Sequence, residues 1–315
     1  MLNQVVAGER VSVKFILTGL GNWAAAWDLV EAGVKEAEKQ GFWGVVFPDQ
    51  YMWDPKDLGV DSYEGIDHTL DTWVALSHLA AQTKHIHLGT WVTQIPLRPP
   101  GVLAKIVSTL DILSGGRSIL GVGAGITQRL FEAYSEWDPP KVRVDKTKEG
   151  VELILRLWTE NKVDFIGHHY VAKGAVLDPK PVQKPHPPLL FCGSGPRMLR
   201  LAGQYADICY VPPWNKLSFE ESKRIVLQEA KHHGREDKVS FAAAYTPLGP
   251  GQGYDREQYR REVEKANTAG FSYFITAWNQ DAAPWEVTAS SLQGAIRSYL
   301  SCLNDFAENV MPAFQ

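Results

Sequence analysis

The sequence predicts a closed (β/α)₈ TIM barrel in a single domain over residues 1–315, with an insertion between strands 4 and 5. Two observations predict it. Eight short apolar runs alternate with segments of helical periodicity, and the runs are apolar along nearly their whole length, as parallel strands covered on both faces are. An open doubly wound sheet usually stops near six strands. The length of 315 residues alone would allow one domain or two.

The repeating unit is clearest between residues 85 and 125. A β-branched and apolar run over 85–93 is followed by Pro96, Pro99 and Pro100, which break a strand but are tolerated in the first turn of a helix. Apolar residues then recur at helical spacing until Gly115, and 118–122 form the next strand. Because a crossover helix joins the two strands, they are predicted to be parallel.

The remaining elements follow the same alternation. The other predicted strands are 11–17, 42–47, 189–192, 207–211, 239–245 and 271–277. The other predicted helices are 23–40, 69–82, 144–160, 196–205, 219–233, 256–269 and 292–310. The pattern breaks between the fourth and fifth strands, where 126–141 is predicted to be irregular and 164–177 to form an inserted hairpin that turns at Gly167.

Composition limits the classes of partner. The formal net charge is −4, with both signs scattered along the chain, which argues against a nucleic-acid or membrane surface and favours a small-molecule partner. Cys192, Cys209 and Cys302 lie far apart in apolar surroundings, as buried thiols in a reducing compartment do. We expect a cytoplasmic protein without a metal site.

In barrels of this class the chemistry lies on the loops at the carboxyl ends of the strands. That rule selects residues 18, 48–53, 91–96, 123–129, 193–197, 211–214, 245–246 and 278. Aromatic residues crowd the predicted rim, and they are either core residues or the wall of an apolar, ring-stacking cavity. They are Tyr51, Trp53, Tyr63, Trp91, Trp214, Trp278 and Trp285.

Two glycine-rich segments leave alternatives open. The segment 193–197 follows a strand and opens a helix, so its backbone N–H groups form either an anion site or an ordinary tight turn. Gly121, Gly123 and Gly125 are either barrel bends or places where a cofactor lies against the backbone.

Three long motifs carry a family resemblance. They are LGTWVTQIPLRPP from Leu88, STLDILSGGRSILGVGAG from Ser108, and PKPVQKPHPPLLFCGSGPRMLRLAGQYADI from Pro179. In this order they resemble the conserved core of the luciferase-like flavin and deazaflavin oxidoreductases. The resemblance implies a (β/α)₈ barrel, a homo-oligomer such as a dimer, and an F420-dependent oxidoreductase that moves a hydride to or from a small organic substrate. An FMN-dependent monooxygenase is the alternative, and a non-catalytic flavin-binding relative is the third.

The resemblance also implies which residues act. Asp49, Gln50 and Trp53 stand where the family carries an Asp-His pair and a nearby Trp, so they are the predicted catalytic group. Gln50 can form hydrogen bonds but cannot relay a proton, and Asp49 is either catalytic or structural. The acids used by related reductases and dehydrogenases are replaced by Thr18 and Ile126. The predicted cofactor-binding residues, which include a cis peptide between Trp91 and Val92, are Thr18, Trp91, Val92, Thr93, Gly123, Ala124, Gly125, Gly193, Ser194, Gly195, Pro196 and Arg197.

Overall fold

The computed structural model describes residues 12–21, 23–24, 26–53, 69–247, 253–278 and 290–315. Its strands are β1 (Lys14–Leu17), β2 (Gly44–Phe47), β3 (His87–Thr90), β4 (Thr93–Gln94), β5 (Ser118–Gly123), β6 (Val163–Ile166), β7 (Val171–Ala175), β8 (Leu189–Cys192), β9 (Ile208–Tyr210), β10 (Ser240–Tyr245) and β11 (Tyr273–Thr276). Its α-helices are α1 (Trp27–Lys39), α2 (Thr72–Gln82), α3 (Pro100–Ser114), α4 (Gln128–Tyr134), α5 (Pro140–Thr159), α6 (Pro196–Tyr205), α7 (Phe219–His232), α8 (Arg256–Thr268) and α9 (Leu292–Asn309).

Parallel pairing closes the sheet into a barrel. The strands follow one another in the order β1, β2, β3, β5, β8, β9, β10 and β11, and β11 pairs back onto β1 with Phe15 opposite Phe274. The short strand β4 continues the third barrel strand and pairs with β5, with Thr93 opposite Val122. The predicted (β/α)₈ barrel is therefore confirmed.

Alternation of side chains along each strand builds two apolar layers. One layer fills the barrel and includes Ile16, Val46, Ile119, Leu190, Ile208 and Ile275, all at 1% exposure or less. Their neighbours in sequence, such as Phe15 and Phe191, point outward into the layer between strands and helices. The buried apolar residues of each strand thus hold the strand ends in fixed positions around the barrel mouth.

The predicted insertion forms the antiparallel hairpin of β6 and β7, which pairs Val163 with Ala175. The Glu149 carboxylate of α5 accepts hydrogen bonds from the backbone N–H groups of His168, His169 and Tyr170, which fixes the hairpin turn. These bonds lower the pKa of Glu149 even though its burial acts in the opposite direction. The insertion predicted before the fifth barrel strand is confirmed.

The prediction that 126–141 is irregular is wrong. Helix α4 lies within that segment, and α5 begins at Pro140 rather than at 144. Helix α4 buries only Leu130 and Phe131, which is too few apolar residues to produce a visible period. Proline fits the first position of a helix, where its missing N–H has no partner to lose, and this explains the early start of α5. Among the described residues, no helix is long and apolar enough to span a membrane.

Candidate active site

A cavity of about 870 Å³ lies at the carboxyl ends of the barrel strands. Segments that follow β2, β5, β8 and β9 line it, together with the β3–β4 connection and residues of α4 and α5. The predicted site residues on its wall are Asp49, Gln50, Trp53, Trp91, Val92, Gly123, Ala124, Gly125, Gly193 and Ser194. The predicted residues outside its wall are Thr18, Thr93, Gly195, Pro196 and Arg197.

The Asp49 carboxylate is 2% exposed and accepts four hydrogen bonds from three side chains. Arg98 binds it in bidentate fashion, with Nε 2.9 Å from Oδ2 and Nη2 2.7 Å from Oδ1. Trp73 Nε1 and Thr93 Oγ1 also donate to Oδ2, at 3.1 and 2.8 Å. Of the two roles left open for Asp49, these four bonds favour the structural one, because they join the end of β2 to Arg98, Trp73 and Thr93.

Arg98 joins Asp49 to the start of α2. Its Nη2 also donates to Asp71 Oδ2 at 2.8 Å, and Asp71 caps α2 by accepting from the N–H of Val74. Its guanidinium lies 4.8 Å from the ring centre of Tyr51. Burial acts against the charged form of Arg98, but the hydrogen bonds and charge of Asp49 raise its pKa above the usual value. Arg98 therefore joins the end of β2 to the start of α2.

Gln50 faces the cavity beside an amide that the sequence prediction did not single out. Gln94 Nε2 donates to Gln50 Oε1 at 3.2 Å. Gln94 is 6% exposed and its Oε1 is buried without a hydrogen-bond partner in the described part of the chain. Gln94 lies inside the range 91–96 selected by the barrel rule, but an uncharged side chain in an apolar run gave no sequence signal of its own.

The predicted cis peptide between Trp91 and Val92 is present. It separates β3 from β4 and brings both residues to the cavity wall. The Trp91 ring packs edge-to-face on Tyr210, with ring centres 5.0 Å apart. This segment gives the cavity one aromatic wall.

The glycines of β5 are required by the protein's own close packing. A Cβ at position 121 would lie 1.9 Å from the carbonyl oxygen of Thr90, and one at 123 would lie 2.5 Å from Val92 Cγ2. Gly125 has a φ of +87°, and a Cβ there would lie 2.4 Å from the Phe131 ring. Of the two alternatives, the barrel-bend explanation accounts for all three, although Gly123 and Gly125 also line the cavity.

The strand-to-helix turn at 193–197 reaches the cavity only in part. Gly193 and Ser194 line it, whereas the Gly195 N–H donates to Asn215 Oδ1 at 3.3 Å. Arg197 is exposed, forms an ion pair with Asp145 and donates to the Lys141 carbonyl oxygen. Its guanidinium is thus bound to α5 and does not reach the cavity wall.

A different arginine does line the cavity. Arg143 of α5 is 7% exposed, its guanidinium lies 3.6 Å from the ring centre of Trp137, and its Nη1 donates to the Asp138 carbonyl oxygen at 2.6 Å. Its Nε has no hydrogen-bond partner among the residues described. Burial lowers its pKa, and the charge of Asp138 offsets part of that effect. The sequence prediction missed Arg143 because one cation in the polar pattern of a long helix looks like a solvated residue.

The remaining predicted residues divide between wall and core. Trp53 lines the cavity and stacks on Trp23, with ring centres 5.7 Å apart, and Trp214 is 67% exposed at the wall. The prediction of a rim position for Trp278 is wrong, because it is 1% exposed within an aromatic cluster between α8 and α9. Thr18 is also buried and donates to the Val46 carbonyl oxygen at 2.8 Å. Tyr63 and Trp285 lie outside the described residues.

Comparison with known proteins decides the family. The model of the luciferase-like monooxygenase family matches residues 15–297. The chain belongs to the luciferase-like monooxygenase family. The resemblance seen in the three sequence motifs is therefore confirmed, and it extends over most of the chain.

Individual relatives carry several activities. A phthiodiolone/phenolphthiodiolone dimycocerosates ketoreductase of Mycobacterium sp. (strain JLS) is 31% identical over 205 residues, 63% of this chain and 53% of that protein. The F420-dependent glucose-6-phosphate dehydrogenase of Microbacterium testaceum is 32% identical over 164 residues, 48% of each chain. The 5,10-methylenetetrahydromethanopterin reductase of Methanolobus tindarius is 32% identical over 213 residues, 67% of this chain and 58% of that protein. The chain thus spans about half the length of these curated relatives.

Solved structures share the fold over nearly the whole chain. An F420-dependent secondary alcohol dehydrogenase, in complex with an F420-acetone adduct, superposes with a TM-score of 0.74 at 20% identity, covering 96% of this chain and 99% of its own. A monooxygenase from Streptomyces bottropensis superposes with a TM-score of 0.71 at 17% identity, covering 96% of this chain and 100% of its own. At these identities the structural likeness supports the barrel and leaves the choice of cofactor open.

Proposed function

We propose that the protein is an F420-dependent oxidoreductase that moves a hydride between the deazaflavin and a small organic substrate. One observation carries the proposal. The cavity wall brings together aromatic side chains and the buried guanidinium of Arg143, which has no carboxylate partner in the described part of the chain. F420 and FMN both combine a flat ring system with a phosphate, so either cofactor matches this combination. The curated relative named as F420-dependent, the glucose-6-phosphate dehydrogenase of Microbacterium testaceum, favours the deazaflavin.

The residues of the cavity fit such a cofactor. A volume of about 870 Å³ lies within the usual range for small-molecule sites. Arg143 lines the wall, and its guanidinium forms no ion pair within the described residues, so it offers a positive charge to an anion. Gly193 and Ser194 line the same wall. When bound, reduced F420 supplies a hydride. In this proposal Trp91 and Val92 support the ring, Trp53 and Gln50 lie beside the reacting groups, and Asp49 keeps the end of β2 in place through Arg98.

The test is the affinity for F420 after the Arg143 charge is removed. Fluorescence titration should show that Arg143→Gln weakens F420 binding by about tenfold or more, as loss of a charge-assisted hydrogen bond does. Arg143→Lys should retain part of the affinity. The matched control is Arg197→Gln, which removes an exposed arginine outside the cavity wall and should leave F420 affinity unchanged. Equal affinity in Arg143→Gln and wild type would contradict the assignment.

A further inference from the structure

We propose that the Gln94–Gln50 amide pair presents a neutral hydrogen-bond donor to the cavity, and that the site therefore takes substrates through a carbonyl oxygen. This inference rests on the proposed function and adds the substrate class to it. Gln94 acts as a positioning residue, and Gln50 is the group that touches the substrate.

The orientation of Gln94 follows from its surroundings. Its Oε1 lies in the space that Gly125 leaves free, since a Cβ on Gly125 would lie 2.9 Å from that oxygen and 2.4 Å from the Phe131 ring. The reverse orientation would bury the two N–H bonds of Gln94 in the same apolar place. A buried carbonyl oxygen without a partner is tolerated better than a buried N–H without one. Gln94 therefore directs its N–H towards Gln50.

This orientation of Gln94 determines which end of the Gln50 amide faces the cavity. Its Oε1 accepts from Gln94 at 3.2 Å, so its amide N–H₂ remains to face a ligand in the cavity. A glutamine at this place does not titrate near neutral pH. The donor is thus present at every pH at which the protein is folded.

The neighbouring side chains of the described wall offer little basicity. The Nε1 atoms of Trp53 and Trp91 are buried N–H groups that have no partner in the described structure. Burial raises the pKa of the Tyr210 phenol and raises that of the Cys192 thiol to about 12, so both stay protonated. Within the described wall, these two groups are therefore poor bases for deprotonating an alcohol, and the Gln50 amide N–H₂ is suited to an oxygen that accepts hydrogen bonds.

The carboxylates of the described wall do not change this picture. Asp49 is 2% exposed and accepts four hydrogen bonds from protein donors, including the bidentate pair with Arg98. Glu132 is exposed on α4 and accepts from Gln128 Nε2 at 2.6 Å. The substrate class that fits is a ketone, an enone or another carbonyl compound. Reduction of a ketone to its alcohol takes one hydride, which reduced F420 supplies in becoming oxidised F420, and one proton, which solvent supplies to the oxygen.

The test measures the carbonyl group of a bound probe. Acetophenone labelled with ¹³C at the carbonyl is added to the protein loaded with oxidised F420, and the C=O stretch is recorded by infrared difference spectroscopy. We expect a shift to lower frequency relative to the free ketone, and loss of that shift in Gln50→Leu. In Gln50→Leu the dissociation constant of the ketone should rise about fivefold relative to the wild type, as expected for the loss of one neutral hydrogen bond.

Gln94 variants separate positioning from simple packing. In Gln94→Glu the carboxylate can only accept, so Gln50 must donate to it and turn its own oxygen to the cavity. Ketone binding should then fall and the lowered C=O frequency should disappear, while 1-phenylethanol should bind better than in wild type. Gln94→Leu should give a weaker, mixed orientation, and this uncharged variant serves if the buried glutamate prevents folding. Gln128→Leu, which removes an amide elsewhere on the wall, is the matched control and should keep the wild-type spectrum.

The outcomes distinguish this inference from the proposed function. If F420 fails to bind and FMN binds, the proposed function falls, and the same spectra recorded on the FMN complex still test the amide pair. An unshifted C=O stretch in the wild type would overturn the inference. So would a Gln94→Glu variant that binds the ketone as the wild type does.

Discussion

Replacement of Arg98 by methionine should expose how strongly the end of β2 depends on one guanidinium. The change removes both bonds of the bidentate pair and leaves the Asp49 carboxylate, at 2% exposure, with Trp73 and Thr93 as donors. Breaking a buried pair from one side costs about 3–5 kcal/mol of stability. Because two neutral donors remain, we expect the lower end, a loss of about 3 kcal/mol.

The assay is equilibrium unfolding in urea at neutral pH, with the m-value used to check that the transition keeps its cooperativity. Arg197→Met is the control, because its ion pair with Asp145 is exposed and should contribute less than about 1 kcal/mol. Asp49→Asn combined with Arg98→Met should recover part of the loss, since no buried charge is left unpaired. A loss below about 1 kcal/mol for Arg98→Met alone would refute the reasoning.

Two further predictions concern stability away from the cavity. Hydrogen bonds from Gln82, His78 and Trp27 lower the pKa of Glu31 to about 2, from its usual 4.5, against the effect of burial. The ionised Glu31 therefore contributes about 1 kcal/mol to the free energy of unfolding, after allowance for its exposure. This contribution is complete above pH 4.5 and is lost as the pH falls towards 2. Glu31→Gln should flatten this part of the pH–stability curve, whereas Glu36→Gln is the control and should leave it unchanged. Gly121→Ala should destabilise the barrel by several kcal/mol or prevent folding, because its Cβ would lie 1.9 Å from a backbone oxygen. Gly101→Ala is the control: its Cβ would meet only Leu157, at 3.8 Å, so its thermal unfolding should show a stability equal to or greater than that of the wild type.

The barrel could be predicted from the sequence because each strand is short, apolar and followed by a helix with its own period. Strands 118–122 and 189–192 were located to within one residue for this reason. Helix α4 could not be predicted, because two buried residues give no period. The range predicted for the last strand, 271–277, was longer than the observed Tyr273–Thr276, because the apolar pattern extends past both ends of the strand, with Phe271 partly buried and Ala277 buried.

At the site, the sequence located the wall but not the roles of its residues. Asp49 and Gln50 were placed correctly at the wall because they follow a strand. Only the structure shows that Arg98, 49 positions along the chain, binds the Asp49 carboxylate in bidentate fashion. Gln94 and Arg143 were missed because their roles depend on burial and on absent partners, which no local pattern records. Arg197 was predicted to bind the cofactor but does not line the cavity. A cation beside a glycine turn suggests an anion site, whereas the Arg197 guanidinium forms an ion pair with Asp145.

The central claim is that this cavity binds a deazaflavin. Purified protein titrated in parallel with F420 and with FMN, with binding followed by cofactor fluorescence, tests it most directly. We expect saturable F420 binding that is tighter than FMN binding and that is weakened in Arg143→Gln. Micromolar FMN binding with no detectable F420 binding would contradict it and would favour the flavin-dependent monooxygenase.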